Sequence, residues 1–314
     1  MDEGMGQNNG EFRSGFVLLW GRPNVGKSTL LNAFLGRKVA IVTARPQTTR
    51  NRIAGVLTTD TAQFVFVDTP GIHTPSDLLG EYMQATAREA LVDADVILFV
   101  VDASTEPRPD DRASAQLLKN AQAPILLVLN KRDLLTEEQL EAQAEAYGAL
   151  GEFPEHFFVS AITQAGLPEL RARVEALLPP GPMFYPPEMV TDHPESFQVA
   201  EFIREQALLL TQQEVPYSLA VVVEEMQPRN EELTYVRAIL YVERESQKGI
   251  LIGEGGKMLR AIGQQARVQA EAALGKRLYL DLWVKVRPRW RRDESILSRF
   301  GYRIPKAPRR RKRR

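Results

Sequence analysis

The stretch Gly21-Arg22-Pro23-Asn24-Val25-Gly26-Lys27-Ser28 constrains this chain's architecture more than any other feature. It fits G-x-x-x-x-G-K-[ST], follows an apolar run at residues 16–20 and opens an amphipathic stretch at 27–36. Such a loop needs glycines so that backbone N–H groups can close on phosphate oxygens, with a helix N-terminus behind them. It therefore demands a strand, a tight turn and a helix, in that order. The rest of residues 16–178 repeats the pattern. Apolar runs at 64–67, 96–101, 125–129 and 157–159 alternate with helical patterns near 80–93, 111–121, 137–150 and 167–177. Runs this continuous suit strands buried on both faces. Their alternation with helices implies an α/β fold with a doubly wound, mostly parallel sheet. Residues 53–58 and 63–67 flank Thr59-Asp60-Thr61-Ala62 as a hairpin would, adding one antiparallel edge strand.

The same loops carry the chemistry. Lys27 can reach β- and γ-phosphates and Ser28 can ligate Mg²⁺, with Thr29 next in the first helical turn. Asp68-Thr69-Pro70-Gly71 ends the run at 64–67, where α/β sheets place ligands. Asp68 is expected to hold Mg²⁺ through water, and the Gly71 N–H to meet the γ-phosphate. Asn130-Lys131-Arg132-Asp133 ends the run at 125–129. A carboxylate at Asp133 can accept both donors on one edge of guanine, whereas adenine would leave it unpaired at a large cost. Lys131 can lie over the base. Ser160-Ala161 is placed to offer a backbone N–H to guanine O6. Four such elements, at successive strand ends, point to one ligand: a guanine nucleotide with Mg²⁺.

The set GRPNVGKS, DTPG, NKRD and SA resembles the translation-factor-related GTPases. Arg45-Pro46-Gln47-Thr48-Thr49-Arg50 resembles the switch I segment of the Era family. That resemblance implies that Thr49 swings onto Mg²⁺ when GTP is bound, with Thr48 the alternative. Lys27, Thr49 and Gly71 are then the catalytic group. Ras-like proteins follow the DxxG glycine with a water-orienting glutamine. Here Ile72 stands there, as in Era-like proteins, so intrinsic hydrolysis is expected to be slow. Asn24 resembles the asparagine that holds K⁺ in potassium-activated relatives.

Residues 15–178 thus read as a GTP-binding domain. Residues 179–195 are proline-rich and read as a semi-rigid linker. Residues 196–290 then follow the order α-β-β-α-β, a small α+β domain holding Ile252-Gly253-Glu254-Gly255-Gly256-Lys257 before a helix. This resembles a KH domain, whose GxxG loop clamps about four nucleotides of single strand. The resemblance implies phosphate contacts from Lys257 and Arg260, and an apolar base groove lined by Ile250, Ile252 and Ile262. Residues 291–314 read as a basic tail, disordered from Arg303. Of 40 Lys+Arg and 40 Asp+Glu, the last thirty residues hold 14 and 2, so zero net charge conceals a basic end on an acidic body. Such an end suits a polyanionic partner.

No cysteine is present, which excludes disulfides and thiolate metal sites. The first fifteen residues lack an apolar stretch, and no run approaches the ~20 residues of a spanning helix. A monomeric cytoplasmic protein is expected. The Era resemblance, from Gly15 to Tyr302, implies a switch that binds the 3′ end of small-subunit ribosomal RNA and assists assembly of that subunit. Two rivals remain open: a GTPase at the inner membrane surface with its arginines on anionic lipid, and an RNA-binding protein that holds GTP without hydrolysing it.

Overall fold

The computed structural model describes residues 11–45, 47–72, 75–211 and 215–302. The arginine-rich tail expected from Arg303 onward lies outside the described residues. The first domain runs β1 (Arg13–Trp20), α1 (Lys27–Leu35), β2 (Ile53–Thr58), β3 (Ala62–Asp68), α2 (Leu78–Val92), β4 (Val96–Asp102), α3 (Pro109–Leu118), β5 (Ile125–Asn130), α4 (Glu137–Gly148), β6 (His156–Val159) and α5 (Leu167–Leu177). Its six strands are ordered β2-β3-β1-β4-β5-β6, all parallel except the β2–β3 hairpin. Alternation along β1 shows why both faces are filled. Val17 and Leu19 pack with Leu30 and Phe34 of α1 and Leu170 of α5. Leu18 and Trp20 pack on the other side with Ala87 of α2, Ala115 of α3 and Tyr147 of α4. Local sequence starts the helices: Asp77 accepts from Gly80 N at 2.9 Å, and Pro109 opens α3.

The second domain is α6 (Glu195–Leu210), a turn of helix α7 (Val215–Ser218), β7 (Ala220–Pro228), β8 (Leu233–Val242), α8 (Glu245–Ile252), α9 (Lys257–Leu274), β9 (Arg277–Val286) and α10 (Glu294–Arg299). β7 is antiparallel to β8, and β8 is parallel to β9. α6 and α9 cover one sheet face. Ile262, Ala266 and Ala270, spaced by four, meet Phe202 and Ile203 of α6. The order differs from α-β-β-α-β by the single turn α7 and by the helix α8. Its sequence ESQKGILI carries a mid-helix glycine and two isoleucines, which weaken the helical signal. No described helix is long and apolar enough to cross a membrane.

Two connecting segments depart from expectation. The proline-rich stretch, expected as a semi-rigid linker, is a strap bonded to the first domain. Val190 O accepts from Val56 N at 2.8 Å, Thr191 Oγ1 donates to Ala54 O at 2.7 Å, and Gln63 Oε1 accepts from the N–H groups of Phe184 and Tyr185. These bonds satisfy the outer edge of β2, which would otherwise be open. Residues 290–302, most of them expected in the tail, are folded. Trp290, Leu297 and Tyr302 are buried with Leu79, Tyr82 and Met83 of α2.

Candidate functional site

The loops after β1, β3, β5 and β6 converge on one end of the sheet. A cleft of about 440 Å³ lies there, lined among others by Asn24, Gly26, Lys27, Ser28, Thr29, Thr49, Gly71 and Lys131. Gly26 holds φ 100, and a Cβ there would lie 2.2 Å from Asn130 Nδ2, so no other residue fits. Asn130 is the staple. It donates to Val25 O at 2.9 Å and accepts from Ala161 N at 3.1 Å, joining the phosphate loop to Ser160-Ala161. Lys27 Nζ is buried and donates to the carbonyls of Gly21 and Arg22, each at 3.0 Å. Burial pushes its ammonium down to about 8, against the pull of Asp68. Burial raises Asp68 in turn, opposed by Lys27 and by the hydroxyls of Ser28 and Thr49.

Those three oxygen donors form a group. Ser28 Oγ lies 2.5 Å from Asp68 Oδ2, and Thr49 Oγ1 lies 2.9 Å from Ser28 Oγ. Asp68 Oδ1 is buried without a hydrogen-bond partner among the described residues. Two hydroxyls and a carboxylate with a spare buried oxygen fit a hard cation that keeps its waters, as Mg²⁺ does. Thr48, the alternative to Thr49, faces away: its hydroxyl meets Thr43 Oγ1 at 2.6 Å and Arg45 O at 2.7 Å. Gly71 approaches the phosphate loop so closely that a Cβ would lie 2.5 Å from Pro23 N. Thr69 Oγ1 is turned to Leu19 O, which locks the loop that runs on through Pro70. Ile72 is buried in the core.

On the base side, Asp133 is exposed in the turn of 3-10 helix Arg132–Leu134, with Arg132 paired to Glu137 at 3.2 Å. Lys131 Nζ sits 2.6 Å from Asp102 at the end of β4. Burial would push Asp102 up, but hydrogen bonds from Lys131 and Ser104 outweigh it and hold the carboxyl below its ordinary value. Arg22 Nε donates to the buried Asp111 at 2.9 Å. Ile162, just past Ala161, lines the cleft with 78% of its surface exposed. It escaped notice because one apolar residue in a polar loop carries no pattern.

Residues 38–45 and 47–50 connect this cleft to the second domain. Asn24 Nδ2 donates to Ala44 O at 3.0 Å. Glu205 of α6 accepts from Val42 N at 2.9 Å and from Lys38 Nζ at 2.5 Å. Arg204 of α6, buried and paired with Glu201 at 2.6 Å, donates to Thr48 O. Arg50 donates to Leu219 O at 2.5 Å. Ile41 is buried in the core of the second domain, and a side chain of that size contributes about 1.5–3 kcal/mol when buried. Nothing in the sequence marks Arg204 or Arg50 as interior, since each lies in an ordinary charged pattern.

The second candidate surface is the groove between α9 and β9. Gly253, Glu254, Gly255 and Gly256 form the loop before α9. Lys257 and Glu254 are both exposed, 3.7 Å apart, and Arg260 Nη2 donates to Gly255 O at 2.7 Å. A groove of about 520 Å³ continues along α9 past Leu259, Gly263 and Arg267 and is walled by Tyr279, Leu280 and Leu282 of β9. The expected apolar lining is therefore corrected. Ile262 is fully buried in the core. Ile250 and Ile252 lie on α8 and are not among the groove residues. The signal lay one residue on: Gly263 in mid-helix leaves room on the face shared by Gly256, Arg260 and Arg267.

Comparison with known proteins identifies both domains. A family model described as a 50S ribosome-binding GTPase matches residues 16–131, and a KH domain model matches residues 214–291. The GTPase Era of Carboxydothermus hydrogenoformans is 47% identical over 292 residues, covering 93% of this chain and 98% of that one. The Heliobacterium modesticaldum GTPase Era is 46% identical over the same length. Two solved structures superpose at TM-score 0.90 with 40% identity, each covering 93% of this chain and 100% of the other. One is an Aquifex aeolicus Era variant bound to GDP and AlF4−. The other is Era with MgGDPNP and nucleotides 1506–1542 of 16S ribosomal RNA.

Proposed function

This chain belongs to the Era family of GTPases, and from that premise we propose a switch that holds the 3′ end of small-subunit ribosomal RNA in its KH groove, assists assembly of that subunit, and couples RNA holding to GTP hydrolysis. The observation that carries the coupling is the position of switch I. Thr49 faces Ser28 and Asp68, while the carbonyl of its neighbour Thr48 is held by Arg204 of α6. One short segment is thus bonded at once to the metal-binding hydroxyls and to the RNA-binding domain. This route does not run through the proline-rich strap, which is fastened to the first domain.

The chemistry follows from the residues in the cleft. Lys27 exchanges its two backbone carbonyls for phosphate oxygens, and the backbone N–H groups of the loop close on the β-phosphate. Ser28 and Thr49, with Asp68 through water, would hold Mg²⁺, which when bound would neutralise phosphate charge. Gly71 N–H meets the γ-phosphate, and Asp133 accepts the two guanine donors while Lys131 and Ile162 flank the base. No side chain at Ile72 orients water, so turnover by the chain alone is slow. We infer that Asn24 would hold K⁺ beside the phosphates, a reading supported by its bond from the phosphate loop to Ala44, just before switch I. Turnover in KCl against NaCl, with wild type and Asn24→Ala, tests this. Equal rates in both salts remove the potassium reading. RNA binding is tested by affinity for an oligonucleotide from the 16S 3′ end against a scrambled one. Equal affinities remove the ribosomal RNA assignment.

A further inference from the structure

One face of the second domain's sheet is covered by α6 and α9. On the other face, the half carrying Ile239 and Tyr241 lies under Trp290, Leu297 and Tyr302. The remaining half is open and aromatic. Tyr235 of β8 and Tyr279 of β9 are register partners whose rings stack with centroids 6.0 Å apart. Trp283 stands on the same face of β9, two alternations beyond Tyr279, and is 56% exposed. Arg229 lies over the Tyr279 ring and Arg237 over that of Tyr235. Asp281, between Tyr279 and Trp283 on β9, accepts from Tyr235 Oη at 2.7 Å and from Arg237 Nε at 3.3 Å. One carboxylate therefore fixes two side chains, Tyr235 and Arg237, that an open sheet face would leave free. Rings ordered before a ligand arrives lose little entropy on binding.

We propose that this face is a stacking platform for unpaired bases of the same RNA strand that fills the KH groove, beyond the nucleotides the groove itself holds. The proposal rests on the reading that the groove takes single-stranded RNA. Continuity favours this occupant over a protein. Tyr279 belongs to both surfaces, since it also walls the groove, and β9 is an edge strand that a chain can cross. Aromatic faces accept any base, and arginines laid against them add cation–π attraction. The charge of the platform is largely balanced: Arg237 faces Asp281 and Glu225, and Arg277 faces Glu232. Its contribution should therefore be stacking, with little dependence on salt, whereas phosphate contacts at the GxxG loop weaken as salt rises.

The molecule supplies its own probe. Of its three tryptophans, Trp20 and Trp290 are fully buried, so acrylamide-quenchable fluorescence reports Trp283. Full-length protein is titrated with a groove-length RNA of about four nucleotides from the 16S 3′ end, and with the same RNA extended by a few unpaired nucleotides on its 5′ or its 3′ side. One extension should tighten binding roughly tenfold or more, given the usual strength of base–aromatic stacking, and should shield Trp283 from acrylamide. Trp283→Ala should remove that gain and leave the short RNA's affinity intact, while Trp283→Phe should keep most of it. If the short RNA binds but neither extension shields Trp283, the platform is wrong and the groove reading survives; a face built for a protein gives that result. If the short RNA itself does not bind, the groove reading fails and the platform with it.

Discussion

The loop before α1 and the loop before α9 each end in a glycine in the left-handed region, Gly26 at φ 100 and Gly256 at φ 77. Each presents a helix N-terminus and a following lysine to phosphate, yet their surroundings are opposite. Lys27 is buried and bonded to the loop's own carbonyls, whereas the side chain of Lys257 is 75% exposed beside an equally open Glu254. A Cβ at Gly26 would strike Asn130 Nδ2, while one at Gly255 would meet nothing within 4 Å. A dry, tightly stapled loop makes every missing or extra group costly, which suits tight binding and chemistry on one small ligand. An open loop is screened by solvent and salt, which suits a strand that must be taken up and released.

The largest expected effect is in the dry loop. Gly26→Ala or Lys27→Ala should cut GTP hydrolysis more than a hundredfold, read by phosphate release, with RNA affinity of the nucleotide-free protein retained. Retained turnover in Gly26→Ala would break the contrast, because the Asn130 staple would then have slack. Next comes Asp133→Asn. Hydrogen bonds to a charged group contribute about 1.5–3 kcal/mol each, so GTP affinity should fall at least tenfold in calorimetry while xanthosine triphosphate gains. Unchanged GTP affinity would take Asp133 out of the base site.

The open loop should respond more mildly. Gly255→Asp places negative charge where phosphate must come, in a position with room for the side chain, and aspartate tolerates the left-handed region. RNA affinity should drop roughly tenfold, as expected from one like-charge contact near a screened surface, and GTP affinity should not move. A fall in GTP affinity would mean that the two loops are not independent. The smallest effect is protonic. The ordinary lysine value is 10.5 and Lys27 sits at about 8. Between those pH values the unfolded chain holds a proton that the empty folded site lacks, so this group's contribution to stability rises with pH across that window. Triphosphate restores the ammonium, so binding above pH 8 should take up a fraction of a proton, measured by calorimetry in buffers of different ionisation heat. Lys27→Met should abolish the uptake.

The two loops also differed in how far they could be read from sequence. The nucleotide site was legible because backbone geometry there tolerates few residues: Gly26 has no room for a Cβ, and Lys27, Asp68 and Asn130 each bond a partner in the neighbouring loops. The KH groove was half legible. Its glycine loop announced itself, but a periodic isoleucine such as Ile262 looks alike whether it lines a groove or fills a core, and α8 lost its signal to Gly249. The contact between domains was not legible. Whether Arg204 or Arg50 is buried depends on which surface meets α6, and no local pattern records that. Prolines at 179–194 suggested stiffness, and only the open edge of β2 explains why the segment lies where it does.

That contact decides whether the two loops act as one switch. The direct measurement is the affinity of a 16S 3′-end RNA for the full chain saturated with Mg²⁺ and a non-hydrolysable GTP analogue, against the same chain with GDP, in wild type and Arg204→Lys. Lysine keeps the buried charge beside Glu201 but loses the planar fork that reaches Thr48 O. The two nucleotide states of the wild type should differ in RNA affinity by roughly 5–150-fold, the usual range of coupling between sites, and RNA should change the preference for the GTP analogue over GDP by the same factor. In Arg204→Lys that factor should shrink toward one while each ligand still binds alone. A wild-type ratio of one, or a ratio untouched by the substitution, would contradict the account.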